Sequence, residues 1–387
     1  MAIINYLAIG VVLIVFVLLN YYIGYKGTRF LRALNLKMNN IIYWMVFWTI
    51  SMGFFVARIF SDKLSEVLKD SLNFVGSLWL GAMLYLLMLL FLFEIINLIC
   101  RKTGLWERFS ISRKAISIYA GTAIIVITGV VLLVGYRNAD TPVVSTYEVN
   151  IPKKVEAISE LNIVMVSDLH LGSSGHGDLL KKMVNEINSL NPDLVLFAGD
   201  IIDDDIQPFI ERNYAQEFTK IKSKYGMFAV TGNHEYYGGD EAEFVKLFRA
   251  TGVNVLMDEY VKVADRFYLS GRIDKAARAY SNTDRKDVGQ LLEGVDKSLP
   301  VILMDHQPEL LEKAMEAGVD LQFSGHTHRG QTFPGNILTK YTYELGWGYL
   351  KKGNYQIIVS SGLGTWGPPI RVGSKSEIVN AKISFGK

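Results

Sequence analysis

Four uninterrupted apolar stretches govern what this chain can fold into. They run near Ile4–Tyr25, Ile42–Phe60, Gly76–Cys100 and Ala115–Tyr136. Each supplies the roughly 20 mostly apolar residues that a helix needs to cross about 30 Å of hydrocarbon. Core helices of soluble proteins rarely stay apolar all round for this length, so membrane-spanning helices are expected. The first stretch has no basic region ahead of it and no small-residue cleavage site, and so reads as a retained helix rather than a removed signal peptide.

The loops between the stretches carry an orientation signal. Lys26, Arg29, Arg32 and Lys37 lie between the first two with no acidic residue, and Arg101, Lys102, Arg108, Arg113 and Lys114 lie between the last two against Glu107 alone. The middle loop is mixed, with Lys63 and Lys69 against Asp62, Glu66 and Asp70. Lys and Arg resist translocation, so the two basic loops are expected in the cytoplasm and everything after Tyr136 outside it. Arg58 and Glu94 sit near segment ends, where snorkelling, pairing or a polar pocket for a lipid head group are all open.

Beyond residue 136 the pattern changes. The polar stretch from Arg137 to about Ser159, with Asn138, Asp140 and Pro142, reads as a linker (residues 137–159) between a membrane domain (1–136) and an α/β domain (160–387). Strand-like apolar runs follow at Leu161–Ser167, Asp193–Ala198, Met227–Val230, Val301–Met304, Leu321–Phe323, Gln356–Val359 and Ile378–Phe385. Amphipathic stretches at Leu179–Leu190, Glu241–Ala250 and Pro308–Ala317 separate several of them. With 50% apolar residues, nine prolines and one cysteine, the chain falls outside the disordered, collagen-like and disulfide-rich classes. A net charge of +2 gives no reason to expect nucleic acid as a partner. Cys100 alone cannot form an intrachain disulfide and says nothing about compartment.

The chemistry is concentrated where strands end. Five short patterns stand there: Ser167-Asp168-Leu169-His170, Gly199-Asp200, Gly232-Asn233-His234-Glu235, Asp305-His306 and Gly325-His326-Thr327-His328. Of the six histidines in the chain, only His176 lies outside them. Loops beyond the carboxyl ends of α/β strands converge at one edge, so these residues are candidates for a common site. Asp168-x-His170 and His326-x-His328 offer alternate residues that reach into one cleft, and a lone carboxylate such as Asp200 can bridge two divalent ions. Imidazole and carboxylate donors without thiolate suit Zn, Mn, Fe or Ni, and the adjacent glycines permit tight turns.

As an ordered set, these patterns resemble the calcineurin-like metallophosphoesterase superfamily over roughly Leu161 to Phe385. The tail Gly362-Leu363-Gly364-Thr365-Trp366-Gly367-Pro368-Pro369-Ile370-Arg371, with the amino-terminal helices, is similar to a bacterial membrane-associated branch that includes phosphoesterases of lipid-linked substrates. The resemblance implies a two-sheet β-sandwich flanked by helices after the four-span helical domain. It implies Asp168, His170 and His328 on one metal ion, Asn233, His306 and His326 on a second, and Asp200 between them. It further implies His234 as proton donor or phosphate-binding group, with Asp203 as the carboxylate that orients it. Asp204 departs from the pattern, because protein phosphatases of the family carry a phosphate-binding Arg there; this argues against a phosphoprotein substrate. Arg272 is a candidate substitute contact, and His176 either a loop histidine or a second residue reaching substrate.

The expected activity is metal-dependent hydrolysis of a phosphomonoester or phosphodiester by in-line attack of a metal-bridging hydroxide, on a lipid-linked or cell-envelope substrate at the membrane. Two alternatives stand beside it: a sensor or transport protein whose outer domain binds metal or ligand without turnover, and an anchored enzyme of soluble esters such as a nucleotide phosphodiesterase. The stretch Tyr341–Tyr349, rich in Tyr and Trp and flanked by Lys340, Lys351 and Lys352, is read either as ordinary packing or as a surface facing lipid or substrate.

Overall fold

Alternation of polar and apolar character at two different periods divides the chain physically. The computed structural model describes residues 2–156, 158–172 and 177–386. It splits into two compact units, Met1–Gly135 with Gly367–Pro369, and Tyr136–Trp366 with Ile370–Lys387.

The first unit is helical: α1 (Ala2–Ala33), α2 (Asn40–Ile59), α3 (Glu66–Lys102), the short α4 (Leu105–Arg108) and α5 (Arg113–Asp140), whose last residues belong to the second unit. Four of them are long and apolar enough to cross a membrane. The helices outrun the apolar stretches because helical hydrogen bonding continues into water; α3 has 37 residues, about 56 Å at 1.5 Å per residue, and its first turns hold Glu66, Lys69 and Asp70. Lipid offers no hydrophobic drive between helices, so close approach depends on small residues. Gly53 of α2 lies 3.6 Å from Gly76 Cα of α3, measured from where a Cβ would stand. A Cβ on Gly76 would fall 2.7 Å from the carbonyl carbon of Gly53, on backbone that cannot yield. Gly76→Leu is therefore expected to cost about 1–3 kcal/mol or more, read as a lowered melting temperature in detergent. Some polar side chains inside the bundle are paired: the Trp79 Nε1–H donates to Asn20 Oδ1 at 2.8 Å, and Lys26 pairs with Glu94.

The second unit holds two six-stranded sheets. One is ordered β1 (Val143–Ile151), β12 (Glu377–Phe385), β2 (Glu160–Val166), β3 (Leu194–Ala198), β4 (Met227–Val230), β5 (Val253–Val255). The other runs β10 (Gly348–Lys352), β11 (Tyr355–Val359), β9 (Leu321–Ser324), β8 (Val301–Met304), β7 (Phe267–Gly271), β6 (Glu259–Val263). β2 to β5 are mutually parallel, as are β7, β8, β9 and β11. Alternation along each strand sorts side chains into three layers. Ile163 and Met165 of β2 face Ile302 and Met304 of β8 in the core between the sheets. Val164 and Val166 turn the other way, onto α6 (Gly177–Ser189) and the helix Glu241–Ala250. Val301 and Leu303 do the same beneath the helix Leu311–Glu316.

The stretch 137–159 is not simply a linker. Val143–Ile151 forms β1 and pairs in parallel with β12, Val143 opposite Glu377. Its apolar face, Tyr147, Val149 and Ile151, is interleaved with Thr146, Glu148 and Asn150, which makes the segment read as polar overall. The aromatic stretch after residue 340 is likewise divided, between the helix Gly335–Thr342 and β10.

Candidate metal centre

The parallel strands of both sheets deliver their following loops to one region. β2 leads to Asp168 and His170, β3 to Asp200, β4 to Asn233 and His234, β8 to His306, and β9 to His326 and His328. Three sets of residues offer one ligand atom each within 4.8 Å of one another: Asp168, His170 and His328; Asp200, His306 and His326; and His170, Asp203 and His234.

The loops are bent hard to achieve this. Asp168, His170, Asp200, His326 and His328 all have left-handed backbone, with φ of 53°, 47°, 54°, 69° and 48°. Non-glycine residues pay about 1–2 kcal/mol each there, and such strain collects at functional sites. Two glycines make the turns possible. At Gly199, φ is 88° and a Cβ would stand 2.6 Å from His306 Nδ1; at Gly325, a Cβ would stand 2.5 Å from Ser167 Oγ.

Lone pairs face one another across the site. His306 Nδ1 lies 2.7 Å from the carbonyl oxygen of Ala198, which makes it the donor there, and Nε2 lies 3.1 Å from Asp200 Oδ2; burial disfavours protonation of this ring, but Asp200, Asp168 and Asp274 prevail and hold its pKa well above the usual range. His170 Nε2 lies 2.9 Å from His328 Nε2, and His328 Nε2 is 3.4 Å from Asp168 Oδ1. Asn233 Oδ1 is buried with no hydrogen-bond donor. Burial holds the His326 pKa down to about 3, helped by His306, and holds His328 well below the usual range, helped by His170 and Arg371. Both rings are thus neutral and free to donate lone pairs. Burial opposes ionisation of Asp200, but His306, His234 and His170 outweigh it and keep the carboxyl well below its ordinary value. Converging acceptors of this kind, buried and with one orphaned amide oxygen, fit divalent cations.

His234 stands apart in charge. Burial disfavours its protonation, yet Asp204, Asp200 and Asp203 prevail and push its pKa up to about 9. Its Nδ1 is 2.6 Å from Asp204 Oδ1 and 3.6 Å from Asp203 Oδ1, so the nearer orienting carboxylate is Asp204, the residue that departs from the family pattern. Asp203 also lies 3.8 Å from His170 Nδ1.

Arg272 does not stand free for substrate. Its guanidinium donates to Asp305 Oδ2 at 2.8 Å and to the Lys286 carbonyl at 2.7 Å, and Arg285 pairs with the same carboxylate. His176 lies outside the described residues. Four further residues shape the site although the sequence reading gave none of them a role. Glu235 accepts the backbone N–H of Asp200, Ile201, Ile202 and Gly232 at 2.6–3.1 Å, clamping two ligand loops together. Arg371, fully buried, donates to the carbonyls of Gly362 at 3.0 Å and Gly364 at 2.6 Å. Tyr237 and Trp366 flank the buried His234 with ring centroids at 5.0 and 6.2 Å and are themselves 42% and 56% exposed, forming an aromatic rim over it.

Comparison with known proteins agrees with this geometry. The family description of calcineurin-like phosphoesterases matches residues 161–330. An uncharacterised metallophosphoesterase of Campylobacter jejuni is 30% identical over 377 residues, 95% of this chain and 96% of that one. A transmembrane protein with metallophosphoesterase domain from Danio rerio is 31% identical over 315 residues, 78% of this chain and 71% of its own length. An uncharacterised metallophosphoesterase of Helicobacter pylori is 36% identical over 227 residues, covering 58% of this chain and 60% of that protein. Since similarity to the first of these runs through nearly the whole of both chains, membrane helices included, the protein belongs to the calcineurin-like phosphoesterase family.

Proposed function

We propose that this chain is a membrane-anchored, two-metal hydrolase of phosphate esters, working on the extracytoplasmic face on a substrate carried by a lipid or another envelope component. The observation that carries the reading is the convergence of buried imidazole and carboxylate groups within ligand reach of one another, beside a histidine, His234, whose pKa is pushed up to about 9 by the carboxylates around it. Asp168, His170 and His328 would hold one ion, Asn233, His306 and His326 a second, and Asp200 would lie between them. Divalent ions so held supply Lewis-acid polarisation of the phosphoryl group and a nucleophile at neutral pH.

The chain's own groups supply the rest. Asp204 engages His234 Nδ1, which leaves the Nε2 proton to be passed to the departing alkoxide oxygen. Glu235 and Arg371 fix the ligand loops through backbone groups, so that the donors need not reorganise during the reaction. Tyr237 and Trp366 offer flat apolar surface to the leaving group, which suits an amphiphilic ester better than inorganic polyphosphate.

Full-length protein should hydrolyse p-nitrophenyl phosphate or bis-p-nitrophenyl phosphate with Mn²⁺ and lose the activity in chelator. Metal binding without turnover of these or of a phosphatidate in mixed micelles would instead support the sensor reading. Sidedness rests on the basic loops at residues 26–37 and 101–114. A tag after residue 387 should be removed by protease added to intact cells, and protection of that tag would reverse the orientation.

A further inference from the structure

The helical unit contains a polar site of its own, built from residues that the metal centre does not use. A cavity of about 430 Å³ opens among the last turns of α1 and α3, the short α4 and the first turns of α5. That volume falls within the usual range of small-molecule sites, about 300–1,000 Å³. Its lining combines two chemistries. Lys26, Arg29, Arg101 and Arg113 bring four cations against Glu94 and Glu107. Glu94 is engaged by Lys26. Arg29, Arg101 and Arg113, on three different helices, have no ion-pair partner among the described residues, and with Glu107 the one other acid in the lining the hollow keeps an excess of positive charge. Deeper in, the wall turns apolar with Leu90, Phe93 and Ile124.

Cations at the mouth and hydrocarbon behind them select an amphiphile. A free anion would use the charges and leave the apolar wall wet, whereas a neutral lipid would leave three guanidinium groups unanswered. The level also matters: Arg101 is in the last turn of α3 and Arg113 opens α5, where apolar sequence gives way to the basic loops and where lipid phosphates lie. We infer that this cavity holds an anionic phospholipid, with its phosphate among Arg29, Arg101 and Arg113 and its acyl chains along Leu90, Phe93 and Ile124. The inference rests on the helices lying in a membrane and not on the hydrolytic reading, so either can fail alone.

The test is native mass spectrometry of the full-length protein in neutral detergent, titrated with phosphatidylglycerol and with phosphatidylcholine of identical chains. Phosphatidylglycerol should be retained at least about 10-fold more tightly. At roughly a factor of five per cation, Arg29→Gln, Arg101→Gln and Arg113→Gln together should weaken it on the order of 100-fold. Arg101→Gln alone should weaken it about fivefold, which keeps the question open to measurement if the triple variant does not fold. Lys37→Gln, Lys102→Gln and Arg108→Gln remove equal charge from the same end but outside the lining, and should leave binding within a factor of about two. Equal retention of both lipids, equal loss in the two triple variants, or displacement of the lipid by millimolar inorganic phosphate would each overturn the assignment.

Discussion

Asp200→Asn should reduce phosphoester hydrolysis by about 10³-fold or more while leaving the fold in place. The carboxylate stands where the two ligand sets meet, 3.1 Å from His306 Nε2 and 3.9 Å from His170 Nε2 through Oδ2. Its other oxygen, Oδ1, accepts the His234 backbone N–H at 2.9 Å, a bond that an amide oxygen can keep. Asparagine thus preserves shape and loses only the negative charge. The expected readouts are a fall in bound metal per chain by elemental analysis, a loss of turnover with every ester, and a melting temperature changed by no more than a few degrees. A variant that kept both full metal content and activity would remove Asp200 from the centre of the mechanism.

His234→Ala should act differently, lowering kcat by about 10²–10⁴-fold with metal content unchanged. The size of the loss should depend on the leaving group. A p-nitrophenolate departs without a proton and should lose little, whereas an alkyl phosphate should lose nearly all of its rate. The pH dependence carries the same signature. A proton donor whose pKa is raised is competent below that value and spent above it, so the rate should fall as pH rises through about 9 from the protein's own charges. Bound cations shift that limb to lower pH without abolishing it. Asp204→Asn removes the carboxylate 2.6 Å from Nδ1 and should move the limb acidward in turn, whereas an unshifted profile would assign the limb to another group.

The parts of this site that were legible in the sequence are those that short-range geometry determines. Asp168-x-His170 and His326-x-His328 carry their own turns, with the glycines that the backbone requires beside them, and each follows a strand whose apolar run is conspicuous. The spanning helices were legible for the same reason, since nothing but length and apolarity defines them. What could not be read depends on pairing across distance. β1 hides its apolar alternate residues among polar ones and becomes a strand only because β12 lies beside it. β6 and β10 are short and amphipathic, with exposed residues such as Tyr260, Lys262 and Tyr349 diluting the pattern, and β7 is a five-residue run that ends in Ser270 and Gly271. Arg272 was a reasonable candidate for substrate until folding brought Asp305, 33 residues on in sequence, against it, with Arg285 paired to the same carboxylate. Arg371 and Glu235 act through backbone groups, those of Glu235 partly 33–35 residues away, a role with no signature in residue type.

The place of β12 in its sheet has a kinetic consequence. It is inserted between β1 and β2, pairing Val143–Ile151 on one side and Glu160–Met165 on the other. Until Glu377–Phe385 has been synthesised, β1 has no neighbour and β2 has an open edge. Such long-range pairing closes slowly and late, because the entropy of the intervening chain must be given up before the contacts form. A nascent chain therefore reaches the membrane and inserts its helices while the strand domain is still unable to complete its first sheet. Ribosomal pausing or premature termination anywhere before residue 377 would leave unpaired strand edges exposed, a species destined for aggregation or proteolysis rather than for partial activity.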